Sequence, residues 1–175
     1  MKRMILRSFF VLFACMVTTI ATCQTNKSVT SADSIRIAEL NQFWKEVSRT
    51  VREGDFEGYK ATYHDDAVCV FTTGKNKYSN SFAVQLGLWK PGFANTKAGK
   101  TKDNVEFRFS QRVGDSNTAH ETGIFYFTSV DSNGKVLAKG GVHFENLFVK
   151  RNGKWETLME YQKSKATQEE WDALL

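Results

Sequence analysis

The sequence predicts an α+β domain with helices on one face of a curved sheet, and three observations carry that expectation. Apolar residues in the first third recur at helical spacing. The second half runs through four long stretches of alternating or apolar character, the reading of β-strands. Two junctions between those stretches, "DSNGK" and "KRNGK", contain Asn-Gly, the strongest short hairpin signal.

The elements follow in order. Residues 1–23 hold Lys2, Arg3 and Arg7 ahead of an apolar run that ends in small residues, the order of a secretory signal peptide. The run from Phe9 to Ala21 is short for a bilayer span, so no membrane span is expected. Cleavage after Cys23 gives a secreted or periplasmic chain; the alternative is a lipid anchor on Cys23, because "IATC" resembles a bacterial lipobox. Residues 24–31 are polar and read as a flexible arm, and the domain itself is expected over 32–164.

Within that domain, Ile37, Leu40, Trp44, Val47 and Val51 form one stripe of an amphipathic helix over Ala32 to Arg52. Gly54 ends it and Asp55 caps a second helix whose apolar side carries Phe56, Tyr59 and Tyr63. "HDDAV" then reads as the elbow into a short strand, Val68 to Thr73, with Asp65 and Asp66 bonding local backbone. Phe82 to Leu88 is a short candidate helix, and "WKPGFANTKAGKTKD", with the only proline, reads as a solvated loop. Four antiparallel strands complete the domain: Val105 to Val113, Ala119 to Val130, Val136 to Lys150 and Trp155 to Lys163. The tail, residues 165–175, is short and amphipathic; folding over the domain and serving a partner chain are both open to it.

Charge and cysteines narrow the partners. Losing residues 1–23 removes three of the 24 basic residues and none of the 19 acidic ones, which leaves +2. That field is too weak to argue for nucleic acid, and no basic stripe interleaved with aromatics appears. Cys69 would be the single thiol left, a small core residue between Val68 and Val70. No cofactor motif is present, and His120, His143 and Glu145 match no metal-ligand spacing.

The order helix, "GD", helix, "Y-x-D-D-A-V", strand, short helix and a meander ending in "NGKW" resembles the nuclear transport factor 2-like superfamily, and more narrowly its SnoaL-like bacterial branch. The resemblance spans roughly Ile35 to Ser164. It implies a strongly curved antiparallel sheet wrapped on N-terminal helices, a cone with a pocket at one end, and a homodimer through the outer sheet face. Members of that superfamily include isomerases, cyclases, dehydratases and non-catalytic binding domains, so the fold alone leaves function open. The tyrosine and aspartate that do the chemistry in the ketosteroid isomerase branch fall, by offset, on Val47 and Phe71 here. Neither side chain exchanges a proton.

If both Asn-Gly turns are two-residue hairpins, Ser132 pairs with Lys135 and Arg151 with Lys154. Those registers set Phe125 opposite Val142, Gly123 opposite Phe144, Glu121 opposite Asn146, Asn146 opposite Met159 and Phe144 opposite Tyr161. Glu121 then enters an aromatic pocket as the candidate proton-transfer group, its pKa raised by desolvation; the alternative is a solvated Glu121 at the sheet margin. Trp44, Tyr59, Tyr63, Phe125, Phe144, Asn146, Met159 and Tyr161 are the expected ligand contacts. A slip of one residue would instead make His143 and Glu145 the pocket pair. Three functions compete: a binding domain for a small, largely apolar organic ligand, an enzyme using a pocket carboxylate, and an interaction module without a ligand. A cavity of about 300 Å³ or more holding an acid with a displaced pKa would keep the enzyme in contention.

Overall fold

The structure, a computed structural model, describes residues 31–174. The leader, Cys23 and nearly all of the expected arm lie outside the described residues. The element order is α1 (Ser31–Glu53), α2 (Phe56–Lys60), β1 (Tyr63–Phe71), β2 (Tyr78–Ser81), α3 (Phe82–Lys97), β3 (Thr101–Gly114), β4 (Thr118–Asp131), β5 (Val136–Arg151), β6 (Lys154–Ala166) and α4 (Gln168–Asp172). One six-stranded sheet runs β2-β1-β6-β5-β4-β3, and α1 lies across its concave face. The fold class is the α+β cone predicted, with one correction. The sheet is mixed, because β1 pairs in parallel with β6 while every other pair is antiparallel.

Helix α1 buries Leu40, Phe43, Trp44, Val47 and Thr50 on the helical period expected. Its start is fastened over the sheet by polar anchors. The buried Arg36 donates to the Gly114 carbonyl at 2.6 Å, and Lys150 and Trp155 both donate to Glu39, which holds that carboxyl below its ordinary range. Asp55 caps α2 by accepting from the Gly58 N–H at 2.9 Å, as its position promised.

Three departures from the expected elements have physical causes. Helix α2 is short, and Tyr63 opens β1 instead of continuing the helical face. The "HDD" stretch is an irregularity within β1, whose register against β6 shifts between Tyr63 and Val68. The local backbone bond there is made by His64, whose Nδ1 accepts from the Asp66 N–H at 3.0 Å, and not by either aspartate. The expected loop after Leu88 is the second half of α3, with Pro91 inside the helix. Phe82, Leu86, Trp89 and Phe93 continue one apolar face at helical spacing, and their packing against Tyr59 and Tyr63 outweighs the lost proline hydrogen bond.

The hairpins set the site. In the second turn Asn152 and Gly153 take φ of 52° and 79°, and Arg151 pairs with Lys154 as a two-residue loop. The first turn differs. Asp131 accepts from the N–H groups of Asn133 and Lys135, only Gly134 is left-handed, and the loop closes on Asp131 and Lys135. One unpaired residue between Ala138 and Val136 restores the register, so Phe125–Val142, Gly123–Phe144 and Glu121–Asn146 face each other as predicted.

Bulges decide the rest. Between β3 and β4 the register shifts at Ser110, beside Gly123, where a Cβ would stand 2.0 Å from the Arg108 carbonyl oxygen. Between β5 and β6 it shifts at Leu158 and again at Lys163. The first of these places Asn146 opposite Glu160, and Phe144 opposite Gln162. The partners expected for Asn146 and Phe144, Met159 and Tyr161, pair instead with Leu147 and Glu145.

Candidate functional site

The concave face, α1 and α3 enclose a cavity of about 730 Å³. Its walls are mostly aromatic. Trp44 sits 4.2 Å from Phe107 and 5.4 Å from Phe144 between ring centroids, and Tyr63 stacks on Phe82 at 3.9 Å. The exposed Lys139 and Lys165 mark the open end. Among the expected ligand contacts, Trp44, Tyr59, Tyr63, Phe125, Phe144 and Asn146 line this space.

Met159 and Tyr161 do not. The Leu158 bulge turns both to the outer face, where Tyr161 stands 3.3 Å from the Thr72 hydroxyl oxygen. It brings Glu160 and Gln162, assigned to the outer face by strict alternation, into the cavity in their place.

Glu121 also differs from both readings offered by the sequence. It is completely buried, yet it lies behind the cavity wall and not in it. Its Oε2 accepts from Trp44 Nε1 and its Oε1 from Arg112 Nε, each at 2.6 Å. Arg112 reaches the inner side because the Ser110 bulge resets alternation after Phe109. With both oxygens occupied by fixed donors, Glu121 is a structural counter-ion that orients Trp44. The alternative pair is corrected as well. His143 and Glu145 lie on the outer face, His143 at 3.3 Å from Glu170 and Glu145 bonded to His120 at 2.8 Å and Lys163 at 3.1 Å.

The cavity lining holds two acids: Asp103, whose oxygens accept from the Thr96 and Ser129 hydroxyls at 2.8 and 2.6 Å, and Glu160. Gln162 Nε2 donates to Glu160 Oε1 at 2.7 Å, the Tyr63 hydroxyl donates to its Oε2, and the Tyr59 and Tyr63 hydroxyl oxygens are 3.1 Å apart. The carboxyl opens onto the cavity but is walled from bulk water, and this desolvation pushes its pKa above the ordinary carboxylate range. The donors Gln162 and Tyr63 pull it partly back. Burial first and the Glu160 charge second hold Tyr59 and Tyr63 well above their usual values, so both stay protonated.

A raised folded-state pKa gives stability that is complete below the unfolded value and is lost as pH rises through the folded one. Glu160→Gln removes that loss. The melting temperature of the variant relative to wild type is expected to climb from about pH 4 to about pH 8 in paired thermal scans. A difference that stays flat, or falls, would mean that Glu160 ionises without penalty.

Asn146 completes the polar spot. It is 3 % exposed, lies between Glu121 and Glu160 across neighbouring strands, and its Oδ1 has no hydrogen-bond partner. Leaving such an acceptor unpaired costs about 1–3 kcal/mol.

Sequence alternation could not have found Glu160, Gln162 or Arg112, since each depends on a bulge. Gly123 was the one signal, because glycine inside a strand marks a bulge or a close backbone approach. The tail resolves to α4 on the outer face: Trp171 packs 5.4 Å from Tyr126, and the Arg108 guanidinium lies 4.2 Å above its ring.

This architecture, a bent open sheet closed by helices over an aromatic cavity, defines an NTF2-like cone. The SnoaL-like domain family matches residues 40–167, and the chain belongs to that family. Solved structures agree on the fold. A conserved protein from Planctomyces limnophilus DSM 3776 superposes with a TM-score of 0.61 at 12% identity, covering 76% of this chain and 99% of that one. An NTF2-like protein of unknown function from Shewanella oneidensis MR-1 gives 0.58 at 14%, covering 74% and 99%. An NTF2-like superfamily protein from Salmonella enterica serovar Typhimurium LT2 gives 0.57 at 16%, covering 78% and 96%. No curated protein matches. Among the described residues no helix is long and apolar enough to cross a membrane.

Proposed function

We propose that the chain is a secreted or periplasmic binding domain that holds a small, largely apolar organic molecule in the cone. The carrying observation is the cavity of about 730 Å³, walled mostly by aromatic side chains. That volume lies within the usual range for small-molecule sites, and a void walled this way gains by being filled. The secreted location rests on the composition of residues 1–23. A homodimer through the outer face is part of the same reading, supported by the exposed Val68 and Leu147 there.

The test is extraction. Protein purified from its natural host is expected to release one organic compound in near-stoichiometric amount, identified by mass spectrometry. Val142→Trp, which narrows the cavity from β5, is expected to release markedly less. Identical extracts from wild type and variant would sink the reading.

A second reading is favoured by Glu160, an acid with a raised pKa facing the cavity: a SnoaL-like enzyme that transfers a proton on its bound compound. Conversion of the extracted compound by wild type, with retention but no conversion by Glu160→Gln, would select this reading over simple binding.

A further inference from the structure

The charge at the mouth of the cone narrows what the cavity holds, an inference that rests on the cavity being a ligand site. Lys139 on β5 and Lys165 on β6 line the open end and are exposed, and among the described residues neither forms an ion pair. Ala138, Gly140, Gly141 and Ala166 keep the opening beside them clear of large side chains, and a Cβ added at Gly140 would meet no further heavy atom within 4 Å. The acids of the lining do not neutralise the two lysines. The Asp103 oxygens accept from the Thr96 and Ser129 hydroxyls, and those of Glu160 from Tyr63 and Gln162. Glu160 also precedes Lys165 on β6 by roughly 15 Å of strand. An anion carried to that depth would shed its water among aromatic rings and face the Glu160 carboxyl. Held at the mouth, it stays hydrated beside two cations.

We propose that the ligand is an anionic amphiphile: an apolar body seated among the aromatic side chains, and a terminal carboxylate or equivalent anion held at the mouth by Lys139 and Lys165. The lysines fix which end of the molecule enters first. The aromatic wall supplies the bulk of the contact, and the charge selects among apolar bodies of one shape. A neutral analogue loses the pairing, and a cation meets like charge at the entrance.

Isothermal titration of the full chain with 2-naphthoate and with its neutral isostere 2-naphthamide, at neutral pH and low ionic strength, tests the assignment. Wild type is expected to bind the naphthoate about fivefold more tightly, a difference that narrows as salt is raised. In Lys139→Gln/Lys165→Gln the two probes are expected to bind within about twofold of each other. Both positions are exposed, so this variant is expected to melt with wild type. Val142→Trp, which narrows the cavity behind the lysines, is expected to weaken both probes. Equal affinities in wild type would overturn the anionic group while leaving the cavity as a binding site. A preference that survives the double substitution would overturn the role of the two lysines. Naphthoate binding undiminished by Val142→Trp would mean that the lysines hold it at the surface, and would overturn the proposal. Failure of both probes to bind wild type would overturn the proposal and the cavity reading together. The wild-type comparison and the lysine variant decide the anionic group whether or not Val142→Trp folds.

Discussion

Arg112→Met is expected to lower the free energy of unfolding by about 3–5 kcal/mol, the usual cost of stripping the partner from a buried charge. Glu121 is completely shielded from solvent, and among the described residues Arg112 is its only cationic partner, at 2.6 Å. The guanidinium does more than neutralise. Its plane lies 4.1 Å over Phe109 and its Nη1 donates to Asn41 on α1, so it also ties helix to sheet. A control separates charge from packing. The Arg112→Met/Glu121→Gln double variant keeps the shapes without the buried charge, and is expected to recover a large part of the loss in urea unfolding. A double variant no more stable than the single one would show that the charge is not the cause.

Phe144→Ala is expected to cost a similar amount, about 3–5 kcal/mol, through lost transfer energy and the void left behind. Phe144 is 2 % exposed and lies at the centre of the ring cluster, within 6.3 Å of Trp44, Phe107, Phe109 and Phe125 by centroid. No neighbouring ring can shift into the gap without leaving its own contacts. Urea unfolding measures the effect, and a loss below about 1 kcal/mol would mean that the cluster repacks.

How much of this was legible in the sequence depended on which physical signal each element uses. Helix α1 announced itself by period, and the order of elements carried the resemblance to the superfamily that the family match supports. The β4–β5 register was legible even though its turn was not, because Asp131 builds a three-residue loop and an extra residue in β5 cancels the change. Helix α3 was shortened in expectation because the stretch from Trp89, with its proline, was read as a solvated loop, although the spacing of Phe82, Leu86, Trp89 and Phe93 argued for continuation.

The site was half legible. Trp44, Tyr59, Phe125, Phe144 and Asn146 were placed by the alternation of two strands and the stripe of two helices. Glu160 was not, and Glu121 was given its place. Alternation assumes an unbroken pleat, and a bulge moves every later side chain to the opposite face. Leu158 has no Gly or Pro beside it to betray the break.

The parallel pairing of β1 with β6 has a consequence for how the chain assembles. Val68 finds its partner only at Met159, so β1 leaves the ribosome long before the strand it must join exists. The antiparallel hairpins of β3 to β6 close over short separations and need nothing from β1, whereas the β1–β6 ladder bears a large loop-closure cost. The expected sequence of events is a meander first and β1 inserted last. Tyr63 arrives with that final strand and meets Glu160 only then. The hydrogen bond at the bottom of the cone is thus the signature of a finished molecule, and the cavity has no floor until the whole chain has been made.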